Sequence, residues 1–204
     1  MKKTNNKGFS LVELIIVIAI MAILAGAIAP ALIKYIDKSR RSNDVSSAKT
    51  FKTAVETALG TEEVYETLTN LASASTPACI TLVPNKAISD LSPTGVDYMT
   101  VTGCSNPNGQ NAQMTDADIC KAIATNIGEK TPKTKYKKTI DETGEKASGG
   151  FTPNTFCAFV TNGGTVYVCV TDSSKTPTCT VASNGTVTFA NCAPLAPEVC
   201  KGYQ

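Results

Sequence analysis

The chain has 204 residues and a formal net charge of +2 at pH 7, so its bulk charge does not indicate a nucleic-acid partner. It contains no histidine, which removes the commonest general base and the commonest metal ligand. The acidic residues are scattered, no nucleophile lies in a known motif, and no glycine-rich phosphate loop is present. The sequence therefore predicts a protein that is not an enzyme and that needs no cofactor or metal.

An apolar segment near the N-terminus dominates the sequence. It covers residues 9–33 with one charged side chain, Glu13, and a hydrocarbon core needs about 20 helical residues. Three lysines precede it, as in a secretory signal peptide. A signal peptide would avoid Glu13 near the start of its apolar region, and a cleavage site at Ala27 and Ala29 would be followed directly by Pro30. We therefore interpret the segment as a membrane-spanning helix.

The start of this segment carries a specific motif. A short basic leader ends at Gly8, the residues FSLVELI follow, and Pro30 lies later in the apolar run. In these features the chain resembles the type IV prepilins, closely over residues 1–59 and in general plan beyond them. The resemblance implies that a prepilin peptidase cuts between Gly8 and Phe9 and methylates the new terminal amine of Phe9.

Glu13 is costly in a membrane, at roughly 2.5 kcal/mol or more unless the carboxylate is paired. It lies four residues after Phe9 and therefore on the same helix face. An α-amino group is cationic near neutral pH. The resemblance implies that Glu13 neutralises the amine of Phe9 in a neighbouring subunit during assembly. The alternative is a carboxylate that snorkels to the lipid headgroups near the start of the helix.

The helical pattern continues beyond the membrane segment. Apolar residues recur at spacings of three and four up to Leu59, and Gly60 is suited to end the helix. The pattern predicts one helix over residues 10–59, about 75 Å long. Two helices with a break at 39–44 are the alternative, because Ser42-Asn43-Asp44 is a poor helix former.

Pro30 lies inside the apolar run and predicts a kink there. Its ring removes one backbone hydrogen bond and crowds the carbonyl of Gly26. The resemblance implies that the turns before this proline can lose helix and stretch in an assembled fibre. A kink with no mechanical role is the alternative.

The cysteines indicate the compartment of the domain. All eight lie beyond the membrane segment, and an even number confined to one region favours disulfides in an oxidising compartment. Lysines and arginines flank both ends of the segment, so the positive-inside rule does not decide the topology. No C-x₂-C spacing supports zinc. We therefore place the domain outside and the leader inside, with these disulfide candidates: Cys79, Cys104, Cys120, Cys157, Cys169, Cys179, Cys192 and Cys200.

Short elements follow the long helix. A second helix is predicted over residues 61–71, small strands over 80–83 and 98–101, and a third helix over 116–127. In the family that the chain resembles, the region between the long helix and the sheet varies most and faces the filament surface.

The clearest strand pattern is a hairpin of residues 155–161 and 165–170 around Asn162-Gly163-Gly164. A three-residue turn would place Cys157 opposite Cys169, near enough for a disulfide with some adjustment. A two-residue turn would shift the register and separate them.

A second hairpin is predicted from residues 178–183 and 186–190 around Asn184-Gly185. Cys179 and Cys192 flank it and could close its open end. A final loop from Cys192 to Cys200 resembles the disulfide-bounded C-terminal region of pilins. These pairings are hypotheses, since eight cysteines allow about 105 connectivities.

One charge-dense stretch, residues 129–146, is interpreted as a solvated surface loop or hairpin. If repeated along a fibre, its lysines could bind DNA phosphates. That basic patch consists of Lys130, Lys133, Lys135, Lys137 and Lys138.

These features predict an α+β fold, in which a long N-terminal helix packs on an antiparallel β-sheet that is stapled by disulfides. The predicted parts are a leader at 1–8, a transmembrane and assembly half-helix at 9–33, an amphipathic outer half-helix at 34–60 and an extracellular globular domain at 61–204. The resemblance implies a structural subunit of an extracellular type IV pilus, active in adhesion, motility or DNA uptake. Its partners would be copies of itself, prepilin peptidase, an assembly platform with minor pilins, and the cytoplasmic membrane before assembly.

Two other functions share some of these features. A pseudopilin of a type II secretion or competence system would have the same leader, Phe9 and Glu13. A single-span membrane protein with an outward binding domain would have the anchor but would never polymerise. The large cysteine-rich domain favours the exposed fibre.

Overall fold

The computed structural model describes residues 9–84, 88, 99–102, 116–128 and 130–204. In these ranges a long N-terminal helix and an antiparallel sheet give the α+β layout that the sequence predicts. The chain divides into two compact units, Met1–Ser39 and Arg40–Gln204. The first unit contains the apolar part of the long helix, and the second contains the rest of that helix and the sheet.

The first helix, α1, runs without a break over Leu11–Ala58. The single-helix prediction is thus confirmed, and the break at 39–44 does not occur. One stripe of its outer part is buried, at the spacing of three and four residues that defines one helix face. The buried side chains are Asp44, Ala48, Phe51, Ala54, Val55 and Ala58.

Two shorter helices follow, α2 at Glu62–Leu71 and α3 at Asp116–Ile127. Helix α2 begins after Thr61, whose side chain makes no capping hydrogen bond. Glu62 and Glu63 occupy its first turn, where a carboxylate interacts favourably with the helix dipole. Both helices lie where the apolar spacing predicts them.

Seven strands are present in the described part of the chain: β1 (Ala78–Leu82), β2 (Met99–Thr102), β3 (Thr155–Val160), β4 (Val166–Thr171), β5 (Thr178–Val181), β6 (Val187–Ala190) and β7 (Cys192–Ala196). Five of them form an antiparallel sheet in the order β2-β1-β3-β4-β7, and β5 pairs with β6 alone. A short 3₁₀ helix, Lys201–Tyr203, ends the chain.

Strand β7 corrects the sequence prediction of a final loop from Cys192 to Cys200. Pro194 and Pro197 suggested a loop, yet Pro194 lies within β7. This strand is at the edge of the sheet, and an edge strand tolerates a residue that cannot donate a backbone hydrogen bond.

The β3–β4 hairpin has the three-residue turn and the register that the sequence predicted. The amide of Thr161 donates to the carbonyl of Thr165 at 3.0 Å, and Cys157 pairs with Cys169 across the strands. Gly164 has φ = 78°, a conformation that favours glycine. The second hairpin, β5–β6, also forms as predicted, with Gly185 at φ = 82° in its turn.

The two faces of the five-stranded sheet differ in chemistry, because successive strand residues point to opposite sides. One face joins α1 and α2 in the main hydrophobic core, which includes Phe51, Leu68 and Phe156. The other face carries Cys157 and Phe159 in a separate buried cluster.

Candidate assembly helix and its anchorage in the domain

The apolar half of α1 is exposed along its whole described length. Every residue from 9 to 36 is exposed, with Phe9 at 89%. Among the described residues, this is the one helix long and apolar enough to cross a membrane. Large contiguous apolar surfaces mark sites that are covered by a membrane or another protein. A lipid phase or other subunits can supply that cover.

Glu13 lies in the first turn of α1, close to the exposed Phe9. Its carboxylate oxygen Oε2 accepts a hydrogen bond from the backbone amide of Ser10 at 2.9 Å. Ser10 directly precedes the helix, and a glutamate three residues later that bonds back to this position forms half of a capping box. The sequence reasoning missed this second role, although the S-x-x-E spacing at residues 10–13 could have indicated it.

The predicted ion pair joins Glu13 of one chain to the amine of Phe9 of another. The structure describes a single chain, so this ion pair stays a prediction. The cleavage site is also a prediction, since the leader at 1–8 and with it Gly8 lie outside the described residues.

Pro30 lies inside α1, and helical residues continue on both sides of it. A Cβ atom placed on Gly26 would meet nothing within 4 Å. The expected kink at Gly26 and Pro30, and its mechanical role, remain predictions.

Beyond the apolar part, a buried carboxylate attaches α1 to the domain. Both oxygens of Asp44 accept backbone hydrogen bonds, from the amide of Lys135 at 2.5 Å and from the amide of Tyr136 at 3.0 Å. Asp44 is fully buried, and the segment that it holds lies about ninety residues away in sequence. One side chain thus fixes the outer half-helix to an extended segment that has no strand neighbour of its own at this point.

Aromatic rings complete this attachment. The guanidinium of Arg41 donates to the hydroxyl of Tyr136 at 2.7 Å and lies 4.4 Å from the centre of that ring. It also lies 5.5 Å from the ring of Tyr203, and the two tyrosine rings pack edge to face with centroids 5.8 Å apart. Such cation–π contacts strengthen when they are shielded from water. We call Arg41, Asp44, Tyr136 and Tyr203 the helix junction.

Burial governs the ionisation of the junction carboxylate. Loss of solvation raises the pKa of Asp44 above its ordinary value of 3.8, and this effect exceeds the opposing hydrogen bonds from Lys135 and Tyr136 and the charges of Lys137 and Lys135. Burial also raises the pKa of Tyr203, with Asp44 as a second cause.

This shift predicts a pH dependence of stability. A carboxyl whose folded pKa is raised stabilises the fold most below its unfolded pKa, here 3.8, and that contribution is lost as pH rises through the folded pKa. We therefore expect the unfolding free energy of the native chain, measured relative to that of the D44N variant, to fall as pH rises from below 3.8. Chemical denaturation of both proteins across this pH range measures it. A relative stability of the native chain that rises with pH would contradict the raised pKa of Asp44.

The basic stretch is more ordered than a solvated loop. Thr131, Thr134 and Tyr136 are buried, while the lysines between them point to solvent. Lys130, Lys133, Lys135 and Lys137 are exposed and Lys138 is half-buried, so the predicted patch is accessible. DNA binding by this patch stays a prediction.

Five of the predicted disulfide cysteines lie in one buried cluster, four of them from the five-stranded sheet and Cys179 from β5: Cys79, Cys157, Cys169, Cys179 and Cys192. Cys120 instead lies in the main core, and Cys200 is half-buried against that core, beside Gly144. Cys104 lies outside the described residues. The structure therefore brings together both pairs suggested by the hairpins, whereas disulfide formation itself stays a prediction. In the described part of the chain, no group of three or more metal-ligating side chains could hold a metal ion.

Comparison with known proteins places the similarity at the N-terminus. A family model described as the prokaryotic N-terminal methylation motif matches residues 3–29. Fimbrial protein Q of Moraxella bovis is 51% identical over 54 residues, which is 26% of this chain and 34% of that protein. Type IV major fimbrial protein FimA of Dichelobacter nodosus is 44% identical over 57 residues, which is 28% of this chain and 36% of that protein.

A third relative, the type IV major alpha-pilin of Moraxella bovis, is 48% identical over 54 residues, covering 26% of this chain and 34% of that protein. The chain thus spans about a third of the length of the curated relatives it matches. No solved structure matches it significantly. Through the methylation motif and the fimbrial relatives of its N-terminal helix, together with the α+β layout, the chain is similar to the type IV pilins.

Proposed function

We propose that this chain is a structural subunit of an extracellular type IV pilus, polymerised through the apolar half of α1. The observation that carries the proposal is a fully exposed apolar half-helix that begins at a methylation motif and contains one carboxylate, Glu13. In the precursor, the bilayer covers the segment at 9–33. In the filament, the same segments of neighbouring subunits cover one another, and helix contacts replace lipid contacts.

Two charges at the start of α1 determine how neighbouring subunits align in the proposed filament. After cleavage between Gly8 and Phe9, the terminal amine of Phe9 and the carboxylate of Glu13 carry opposite charges in a low-dielectric fibre core. Each is penalised alone and stabilised when paired, so a subunit docks where its amine meets the Glu13 of a neighbour. The capping contact with Ser10 keeps the carboxylate at the helix start, where a neighbour's amine can reach it.

The proposal includes a location and partners. The precursor crosses the cytoplasmic membrane once, with residues 1–8 inside and the globular domain at 61–204 outside, and the assembled filament lies on the cell surface. Prepilin peptidase, an assembly platform and minor pilins act on it in sequence. We extend the proposal to DNA binding by the exposed lysines within residues 130–138. The accessibility of these lysines to solvent supports this part of the proposal.

The experiment is intact-mass spectrometry of filaments sheared from cells. We expect a subunit that lacks residues 1–8 and carries one added methyl group on Phe9. A subunit that retains Met1 would overturn the proposal and favour a permanent single-span anchor. Electron microscopy of the same preparation separates a pilus from a pseudopilus, because long abundant fibres support the first and short or absent fibres support the second.

A further inference from the structure

Two hairpin turns of the domain contain an asparagine followed by a glycine. The first pair, Asn162-Gly163, lies in the β3–β4 turn, and the second pair, Asn184-Gly185, lies in the β5–β6 turn. All four residues are exposed to solvent. Asparagine is thermolabile, and a following glycine leaves the backbone nitrogen unshielded because glycine has no Cβ atom. A third pair, Asn108-Gly109, lies outside the described residues.

The two turns have the same backbone design. Each is a three-residue loop whose last residue is a glycine with positive φ, at 78° for Gly164 and 82° for Gly185. The amide of that glycine closes the turn by donating to the carbonyl of the residue before the loop. Gly164 donates to Thr161 at 2.8 Å, and Gly185 donates to Ala182 at 2.9 Å. The Asn-Gly pair therefore fills the first two positions of the β3–β4 loop but the last two positions of the β5–β6 loop.

In the β5–β6 turn, hydrogen bonds hold both groups that deamidation requires. The reaction begins when the backbone nitrogen of the glycine gives up its proton and attacks Cγ of the preceding asparagine. The amide of Gly185 is the one that closes the turn. The carboxamide oxygen of Asn184 accepts a hydrogen bond from the amide of Thr186 at 3.0 Å, as asparagine commonly does in turns. Attack at this site must first break the hydrogen bond that closes the turn.

The corresponding groups of the β3–β4 turn are not held in this way. Within the part of the chain that the structure describes, the amide of Gly163 and the carboxamide of Asn162 make no hydrogen bond. The amide of Thr165, which follows the loop, donates instead to the side-chain oxygen Oγ1 of Thr161 at 3.0 Å. The side chain of Asn162 is therefore not needed by the turn, and attack by Gly163 breaks none of its hydrogen bonds.

We propose that Asn162 is a spontaneous deamidation site of the native domain and that the β5–β6 turn protects Asn184. The nitrogen of Gly163 forms a bond to Cγ of Asn162 as the bond from Cγ to Nδ2 breaks, and Nδ2 leaves as ammonia with the proton of the glycine amide. The product is a cyclic imide. Water then opens this ring, on the side-chain side to give aspartate or on the main-chain side to give isoaspartate. Water is consumed, ammonia is released and nothing is oxidised or reduced.

Either product changes the turn where it meets α2. Both products gain a carboxylate, and isoaspartate also lengthens the main chain, which then passes through Cβ and Cγ of the modified residue. There is little space for this change next to Gly164, because a Cβ atom placed on Gly164 would lie 2.8 Å from Cε2 of Tyr65. Deamidation of Asn162 therefore alters the contact between the β3–β4 turn and α2. The inference does not depend on the proposed function, since it needs no reactant besides water.

The test follows both sites in the native full-length chain, incubated in detergent at mildly alkaline pH. After reduction and alkylation of the cysteines, trypsin places Asn162 in fragment 147–175 and Asn184 in fragment 176–201. Mass spectrometry measures the deamidated share of each fragment over time, with sequencing of the fragments to locate the reacting residue and a zero-time sample to correct for the digestion. We expect Asn162 to react about fivefold faster or more, the factor that a hydrogen bond of ordinary strength gives. Equal rates, or a faster reaction at Asn184, would overturn the proposal.

The unfolded chain provides the internal control. In denaturant both turns are lost, and both asparagines are followed by glycine. We therefore expect the rates at Asn162 and Asn184 to converge. If the ratio of the two rates stays as large as in the native chain, the neighbouring sequence rather than the turn sets the difference, and the proposal is wrong.

The G163A variant is the matched substitution. Gly163 has no positive φ, and a Cβ atom placed there would have only Oγ1 of Thr161 nearby, at 4.0 Å, so the turn accommodates alanine. The added methyl group hinders the approach of the backbone nitrogen to Cγ of Asn162. We expect deamidation of Asn162 to slow several-fold and that of Asn184 to stay unchanged. An unchanged rate at Asn162 would show that attack by this nitrogen is not the route and would overturn the proposal.

Discussion

Replacing Glu13 with glutamine is expected to abolish filament assembly while leaving the helix start intact. Glutamine keeps the size of the side chain and can still accept the hydrogen bond from the backbone amide of Ser10, as glutamine does in a capping box. It cannot neutralise the amine of Phe9. Leaving one charge of a buried pair without its partner costs about 3 kcal/mol or more. Each subunit contact would then weaken by about a hundredfold, since about 1.4 kcal/mol corresponds to a factor of ten.

The alanine variant separates the two roles of Glu13. E13A loses both the charge and the capping contact, so it should assemble no better than E13Q. The E66A variant is the matched control, because Glu66 is an exposed helical carboxylate in the domain and should assemble normally. Quantifying sheared filaments against total subunit in membranes measures the effect. Normal assembly of E13Q with failure of E13A would assign Glu13 to helix capping alone and refute the charge pairing.

Much of the fold follows from local patterns in the sequence. The spacing of apolar residues up to Leu59 predicted a single α1, because a buried stripe every three or four residues exists only on a helix. The glycines after Asn162 predicted the turn of the first hairpin, and the turn in turn fixed the register of Cys157 with Cys169. Local rules succeed here because the deciding contacts lie within a few residues of one another.

The failures depend on contacts between distant residues. Pro194 suggested a loop because proline disrupts a central strand, yet the position of β7 at the sheet edge removes that objection. No local pattern shows which strand will be at an edge. Similarly, four of the five clustered cysteines come together through the order of β1, β3, β4 and β7, and the fifth, Cys179, comes from the separate β5–β6 hairpin. No local pattern in the sequence shows this arrangement of strands.

The helix junction shows how a feature can be misread. Asp44 belongs to a stretch that looked like a possible break in α1, since aspartate, asparagine and serine favour helix ends. The same carboxylate occupies the buried face that Ala48, Phe51 and Val55 continue. A charged residue in an otherwise apolar stripe indicates a partner from another segment. That indication was present in the sequence, but the partner, the backbone at Lys135, could be identified only from the fold.

The D44A substitution is accordingly expected to be strongly destabilising. It leaves the part-buried amide of Lys135 and the buried amide of Tyr136 without an acceptor, and an unsatisfied buried group costs about 1–3 kcal/mol. We expect a total loss of about 2–6 kcal/mol in unfolding free energy, as the sum over the two amides. D44N should fall between D44A and the native chain because its amide oxygen can still accept one of the two bonds.

Denaturant unfolding of the full chain in detergent, followed by circular dichroism, measures this loss. E66A again provides the control, because a surface substitution in a helix usually changes stability by about 0.5 kcal/mol or less. Equal stability of D44A and E66A would show that the junction carboxylate contributes nothing to the attachment of α1. We expect the loss of stability in D44A to affect α2 and the sheet as well, because α1 supplies Phe51 to the core that all of them share. The carboxylate that looked like a weak point of the helix should therefore prove to be one of the contacts that hold the assembly helix to its domain.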